Sequence, residues 1–154
     1  MSTPLTDEAR VMAQAVHLER KGEPEHALRL LESHEFGTQF DALAMMLKAR
    51  ILERLSIEQC AQTYQGAVEK YPGDAVVLLR VGVFVLRRGD TEKAKELLAR
   101  SWNACPTPEA GYYLGSIKQA EGRTHEALEF FIQTDVMEGD EGYWKKRVET
   151  ELTH

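Results

Sequence analysis

The side chains best suited to nucleophilic, general-base or metal chemistry in this 154-residue sequence are five histidines and two cysteines. They are His17, His26, His34, His125 and His154, with Cys60 and Cys105. Zinc ligation from a helix needs donors one turn apart, as in His-x-x-x-His or His-Glu-x-x-His, and no two of these histidines have that spacing. A cysteine nucleophile needs a base that draws off its proton. Neither cysteine stands in a Cys-x-x-Cys pair, and no evident base accompanies either. Two cysteines are also too few for a disulfide framework, so both thiols are expected free in a reducing compartment. Gly-x-Gly phosphate loops are absent, because the glycines follow helical rather than strand-like segments. The acidic run Glu138-Gly139-Asp140-Glu141 lacks calcium-loop spacing and reads as a solvated turn. The sequence therefore predicts no catalytic residue, no metal ligand and no cofactor, and the chain is not expected to be an enzyme.

Charge narrows the partners. Lysine and arginine number 19 against 25 aspartates and glutamates, a net charge of -6, with no basic stripe of the kind that tracks phosphates. Nucleic acid is thus excluded as the expected partner, and an anionic membrane surface is disfavoured for the same reason. The densest apolar run, 75–86, is interrupted by Arg80 and is too short to span a bilayer, so no membrane insertion is expected. The N-terminal stretch Met1 to Glu8 is polar and acidic, unlike a secretory leader, and the predicted location is cytoplasmic. With 43% hydrophobic and 29% charged residues, the chain has the composition of one folded soluble domain.

The elements that must position any site announce themselves as a repeat. Gly22, Gly89 and Gly122 are each followed five residues later by alanine: Ala27, Ala94 and Ala127. Gly22 precedes Gly89 by 67 residues and Gly89 precedes Gly122 by 33, two periods and then one. The copy between them lacks its glycine. It begins with the capping box Ser56-Ile57-Glu58-Gln59, and Cys60 takes the alanine's place at a packing position, with Tyr64, Ala67 and Pro72 behind it. Apolar residues recur at steps of three and four, as in Leu78, Val81 and Val85. The spacing predicts helices at 5–20, 24–35, 39–54, 57–70, 75–88, 91–104, 108–120 and 124–136, and a last one at 141–152. Small residues at Gly82, Gly115, Ala94 and Ala127 would let helices cross closely, and Gly89 and Gly122 would end helices with positive φ. Tyr143, Trp144 and Val148 are expected to pack the last helix inward.

These residues resemble the tetratricopeptide-repeat (TPR) family, whose first helix carries a large residue, Leu, a small residue and an aromatic, and whose second carries Ala, an aromatic and Pro. The third copy matches with Leu78, Val81, Gly82, Val85, Gly89, Ala94, Leu98 and Pro106. The fourth matches with Gly111, Leu114, Gly115, Gly122, Ala127 and Phe131. The second supplies Ala44, Leu47 and Ile51 on its first helix, and the first supplies Val11, Ala15, Leu18, Ala27 and Leu31. Gln14 and Lys48 depart from the pattern, standing where a leucine and a small residue are usual. The resemblance implies an all-α fold, a right-handed α-α superhelix of about four helix-turn-helix repeats. It implies a single domain over 1–154 with repeats at 8–38, 41–74, 75–107 and 108–139 and a capping helix at 141–152.

It also implies where a partner binds, since the first helix of each repeat lines the concave face. By that register the groove takes Met12 and Val16, with Glu8, Glu19 and Arg20 at its edge. It continues with Met45, Ala49 and Leu52, then Leu79, Val83 and Leu86 beside Arg80 and Arg87, then Tyr112, Ser116 and Gln119 with Tyr113 nearby. Co-chaperone TPR domains clamp a C-terminal carboxylate with Lys and Asn on these helices. Here Met45 and Ala49, or Leu79 and Val83, stand at those places, so that activity is not carried over. The remaining apolar groove suits an amphipathic helix or an extended apolar segment, with Arg80 and Arg87 pairing to acidic residues on it. The expected function is a protein–protein interaction module, an adaptor, scaffold or assembly factor. The alternatives are a dedicated chaperone for a secreted or assembling subunit, and a structural homo-oligomer, with a homodimer or the chain's own N-terminal segment filling the groove.

Overall fold

A computed structural model describes residues 6–139 and 142–152. Leu5, Asp140, Glu141 and His154, on which the sequence reading drew, lie outside the described residues. The described residues form α1 (Asp7–Arg20), α2 (Pro24–Glu32), α3 (Asp41–Leu55), α4 (Ile57–Lys70), α5 (Ala75–Arg87), α6 (Thr91–Ala104), α7 (Pro108–Ala120), α8 (Thr124–Glu138) and α9 (Tyr143–Leu152), with no strand among them.

Local chemistry sets most of the ends. The hydroxyls of Thr6, Ser56 and Thr107 and the carboxylates of Asp74 and Asp90 accept from backbone N–H groups in the first turns of α1, α4, α7, α5 and α6. Pro24 and Pro108 open α2 and α7, where a missing N–H costs nothing. The Asp74 carboxylate takes the N–H groups of both Val76 and Val77, so the valine-rich run that follows starts as a helix. Gly22, Gly89 and Gly122 follow α1, α5 and α7 at φ of 84°, 91° and 78°, the backbone region the repeat spacing required of Gly89 and Gly122. Several ends differ from expectation by one to three residues, those of α2 and α8 among them. α2 stops at Glu32, and the Ser33 hydroxyl donates to the Leu30 carbonyl just past the last turn. α8 runs on to Glu138 and ends at Gly139, with φ 75°.

Each odd-numbered helix from α1 to α7 packs most extensively on the helix that follows it. The chain divides into two compact units, one ending at Pro72 and one beginning at Gly73. In the first, Ala15, Ala27, Leu31, Leu47 and Ile51 form the core. In the second, Leu79, Val83, Ala94, Leu98, Ala110, Leu114 and Ile117 form one cluster, and Tyr112, Ala127, Phe131 and Val148 another. Of the residues expected to seat α9, Trp144 and Val148 pack inward, whereas Tyr143 is 63% exposed.

The crossings inside the repeats are as close as the small residues promised. A Cβ built on Gly82 would lie 2.9 Å from Leu98 Cγ, and one on Gly115 would lie 2.5 Å from the Phe131 ring. Gly66, in contrast, sits in α4 with nothing nearer than Met45 Cε at 4.0 Å. Gly115→Ala is therefore expected to destabilise the fold by about 1–3 kcal/mol through overpacking. Gly66→Ala is expected to stabilise it by about 0.5–1 kcal/mol, because it removes only unfolded-state freedom. Urea unfolding of the two variants beside the parent protein measures both signs.

Candidate partner-binding site

In the first unit the assigned groove residues divide by exposure. Met12, Val16 and Met45 are half-buried and reachable, whereas Ala49 and Leu52 on α3 are buried at 0% and 2% exposure. The expected edge is also engaged. Glu19 is buried and receives the Arg50 guanidinium at both carboxylate oxygens, tying α1 to α3. The Glu8 carboxylate accepts from the Gly37 N–H at 3.0 Å.

Met45 opens onto a cleft of about 370 Å³ between the end of α2 and the start of α3. Leu31, Phe36 and Ala44 supply apolar wall beside it, and Glu32, Glu35, Asp41, Lys48 and Lys70 bring charge of both signs. Lys48, the departure from the usual small residue, is half-buried on this wall, and its ammonium has no partner among the described residues. Lys70 is spoken for: it lies 2.6 Å from the Asp41 carboxylate, which also accepts from the Tyr71 hydroxyl. Burial pushes the Asp41 carboxyl up, but the hydrogen bonds from Lys70 and Tyr71 outweigh it and hold the group below its ordinary value. The hydrogen bond to Asp41 correspondingly raises the Lys70 ammonium.

In the second unit, Leu79, Val83 and Tyr112 belong to the core, at 6%, 7% and 5% exposure. This departs from the expected open lining, and the packing gives the reason. Leu79 and Val83 join the cluster of Leu98 and Leu114, while α9 lies across α7 and covers Tyr112. The Tyr112 ring is 5.3 Å from that of Trp144, the Arg147 guanidinium stands 4.5 Å over it, and its hydroxyl donates to Glu151 at 3.2 Å. Burial accordingly pushes the phenol above its ordinary value. Gln119 donates to the Glu151 carbonyl at 3.5 Å. Arg80, expected to meet a guest's acid, donates from both terminal nitrogens to the two oxygens of Glu109 at 2.9 and 3.0 Å. Leu86, Tyr113 and Ser116 are half-buried and Arg87 is exposed.

No protein-family model and no curated protein matches the sequence. Solved structures match it in shape. A tetratricopeptide repeat protein from Parabacteroides merdae superposes with a TM-score of 0.73 at 15% identity, over 92% of this chain and 57% of that one. A thermophilic TPR protein of Thermus thermophilus does so at 0.58 and 18%, over 96% of this chain and 100% of the other. The chain has the tetratricopeptide-repeat fold. MamA has a similar structure too, with a TM-score of 0.64 and 13% identity over 87% of this TPR chain and 75% of its own. At such identities the likeness carries the TPR fold alone.

Among the described residues, no three His, Cys, Asp or Glu side chains gather as a metal site would require, and no helix is long and apolar enough to cross a membrane. Cys60 is buried and Cys105 exposed, and neither is in a disulfide. The TPR register could not reveal the Leu31–Phe36–Lys48 wall, because Phe36 lies in a loop between repeats. Lys48 at a normally small position was the one signal of it in the sequence.

Two measurements probe these networks. Because the Asp41 pKa is depressed in the folded state, its contribution is present above the unfolded carboxylate pKa and is lost as pH falls through the folded one. Asp41→Asn should therefore lower stability at neutral pH and leave it nearly unchanged in acid, as urea titrations at several pH values would show. Arg50→Ala leaves the buried Glu19 carboxylate without its cation and should cost about 1–3 kcal/mol in the same assay.

Proposed function

We propose that the chain is a protein–protein interaction module, an adaptor or assembly factor that holds a peptide or amphipathic helix of a partner protein. The TPR fold supports a protein-binding role in general. In this reading residues 1–154 are one domain of four repeats, at about 8–38, 41–74, 75–107 and 108–139, with α9 as its cap. The partner meets the first helices of the repeats through the assigned side chains that solvent reaches: Met12, Val16, Met45, Leu86, Tyr113 and Arg87. Ser116, whose hydroxyl is buried, takes no part.

The cleft beside Met45 carries the proposal. Its apolar wall of Leu31, Phe36 and Met45 accepts a large apolar side chain, and methionine adapts its shape to different guests. Lys48 lies one residue short of a helical turn from Met45, so an acidic residue near the guest's apolar anchor satisfies its ammonium. Arg80 plays no part, because Glu109 already neutralises it. Cys60 and Cys105, neither of them in a disulfide, fit a reducing, cytoplasmic setting.

The test is affinity capture from source-cell lysate with the wild-type chain, Met45→Glu and Lys48→Glu, each checked for helicity by circular dichroism. A partner retained by wild type should fall at least ~10-fold with each variant, the scale of a side chain at the centre of an interface. A partner held equally by all three places the interface elsewhere and ends this reading.

A further inference from the structure

Beyond the groove, α8 carries an apolar stripe on its outer face. Leu128, Ile132 and Val136 stand at i, i+4 and i+8, on one side of the helix, and are 40%, 53% and 75% exposed. The same places in the preceding repeats are small or polar: Lys95, Ala99 and Asn103 in α6, and Ala61, Gln65 and Glu69 in α4. In α2 the first of them is Leu28 and the second Glu32. Large apolar residues at all three are thus peculiar to α8 among the described repeats. A contiguous apolar stripe exposed on a helix face marks an interaction surface. α9, packed alongside α8, adds Leu152 at 53% exposure.

α9 supplies an independent observation. Its sequence is basic in the first half, with Lys145, Lys146 and Arg147, and acidic in the second, with Glu149 and Glu151. That order opposes the helix dipole, which favours acids at the N-terminus and bases at the C-terminus, so helix stability does not explain it. Lys145, Arg147 and Glu151 bond within the chain, to Asp135, Tyr112 and Tyr112. Lys146 and Glu149 are exposed, with no side-chain partner among the described residues.

We infer that the α8–α9 face pairs with the same face of a second copy of this chain across a two-fold axis. A stripe of three residues centred on Ile132 complements itself when two α8 helices run antiparallel. Ile132 then meets Ile132 of the second copy, and Leu128 meets Val136. The same axis sets α9 antiparallel to α9 of the second copy, bringing the exposed Lys146 of each towards Glu149 of the other. Apolar and charged patterns thus select one symmetry, the isologous one that is commonest among oligomers.

The size of the face sets the strength. α8 has 15 residues and is about 22 Å long, and two helices abreast are about 20 Å wide, roughly 440 Å² per copy. That is below the ~800 Å² per partner of a standard interface, so the dimer is a weak one.

Sedimentation velocity of the full chain from about 1 to 500 µM covers the concentrations at which a weak dimer forms. The expected result is a reversible monomer–dimer equilibrium. Ile132→Glu should weaken it at least ~10-fold, and Asn103→Glu, at the same place on α6, should not. Ile132→Cys in a Cys105→Ser background should oxidise to a covalent dimer, since the two-fold brings these side chains together, while the buried Cys60 stays out of reach. A chain that stays monomeric throughout, or forms open-ended assemblies, overturns the inference and leaves the stripe to another occupant. So does a folded Ile132→Glu variant that dimerises like wild type. Met45→Glu should leave dimerisation unchanged, which separates failure of this interface from failure of the groove.

Discussion

Within a repeat, the two helices are held together where a small residue on one admits a large residue from the other. Leu98 comes down on Gly82 and Phe131 on Gly115, at distances that leave no room for a single methyl group. Alanines complete the contact from the second helices, with Ala94 and Ala127 buried at 0% and 2% exposure. Dispersion and apolar burial both depend on that closeness, because a gap of even an ångström forfeits much of the contact energy. The register of the glycines along the chain therefore fixes how each hairpin closes, and with it which faces remain for anything else.

Polar groups then pin the elements that apolar packing alone would leave free to slide. Ser101 donates to the Ala75 carbonyl at 2.8 Å, linking the end of α6 to the start of α5. Thr134, fully buried, donates within α8 and towards the Pro108 carbonyl at 3.4 Å. Ionic contacts join helices in both units: Arg50 with Glu19 and Lys70 with Asp41 in the first, Arg80 with Glu109 and Lys95 with Glu121 in the second. Buried or half-buried charges of this kind contribute specificity of arrangement more dependably than net stability.

The same packing divides the first helices between structure and function. Side chains on one helix face cannot at once fill a core and stay open to a partner, and Leu79, Val83, Ala49 and Leu52 fill the core. α9 claims Tyr112 as well, through an aromatic ring, a guanidinium and a carboxylate. What remains accessible is narrower than a continuous apolar lining, and it includes a cleft whose wall is partly loop.

The helices, their caps and their glycine-marked turns were legible in the sequence, since each depends on residues within a few positions of one another. Ser56 with Gln59, Pro24 at the head of α2, and Gly89 at positive φ are local facts, and the repeat period multiplied their weight. The start of the valine-rich α5 is local too, set by the Asp74 cap. The open or closed state of a side chain on a first helix was not legible. It turns on contacts between residues up to 39 positions apart, such as Tyr112 with Glu151, or Arg80 with Glu109 at 29. A register error of one residue rotates a helix face by about 100°, so periodicity narrows a face without choosing its boundary. The sequence by itself determined the repeat, the helical class and the close crossings. The tertiary structure alone decided which apolar side chains became core, which charges found partners, and which surfaces were left uncovered, because burial is settled only when distant segments compete for the same space.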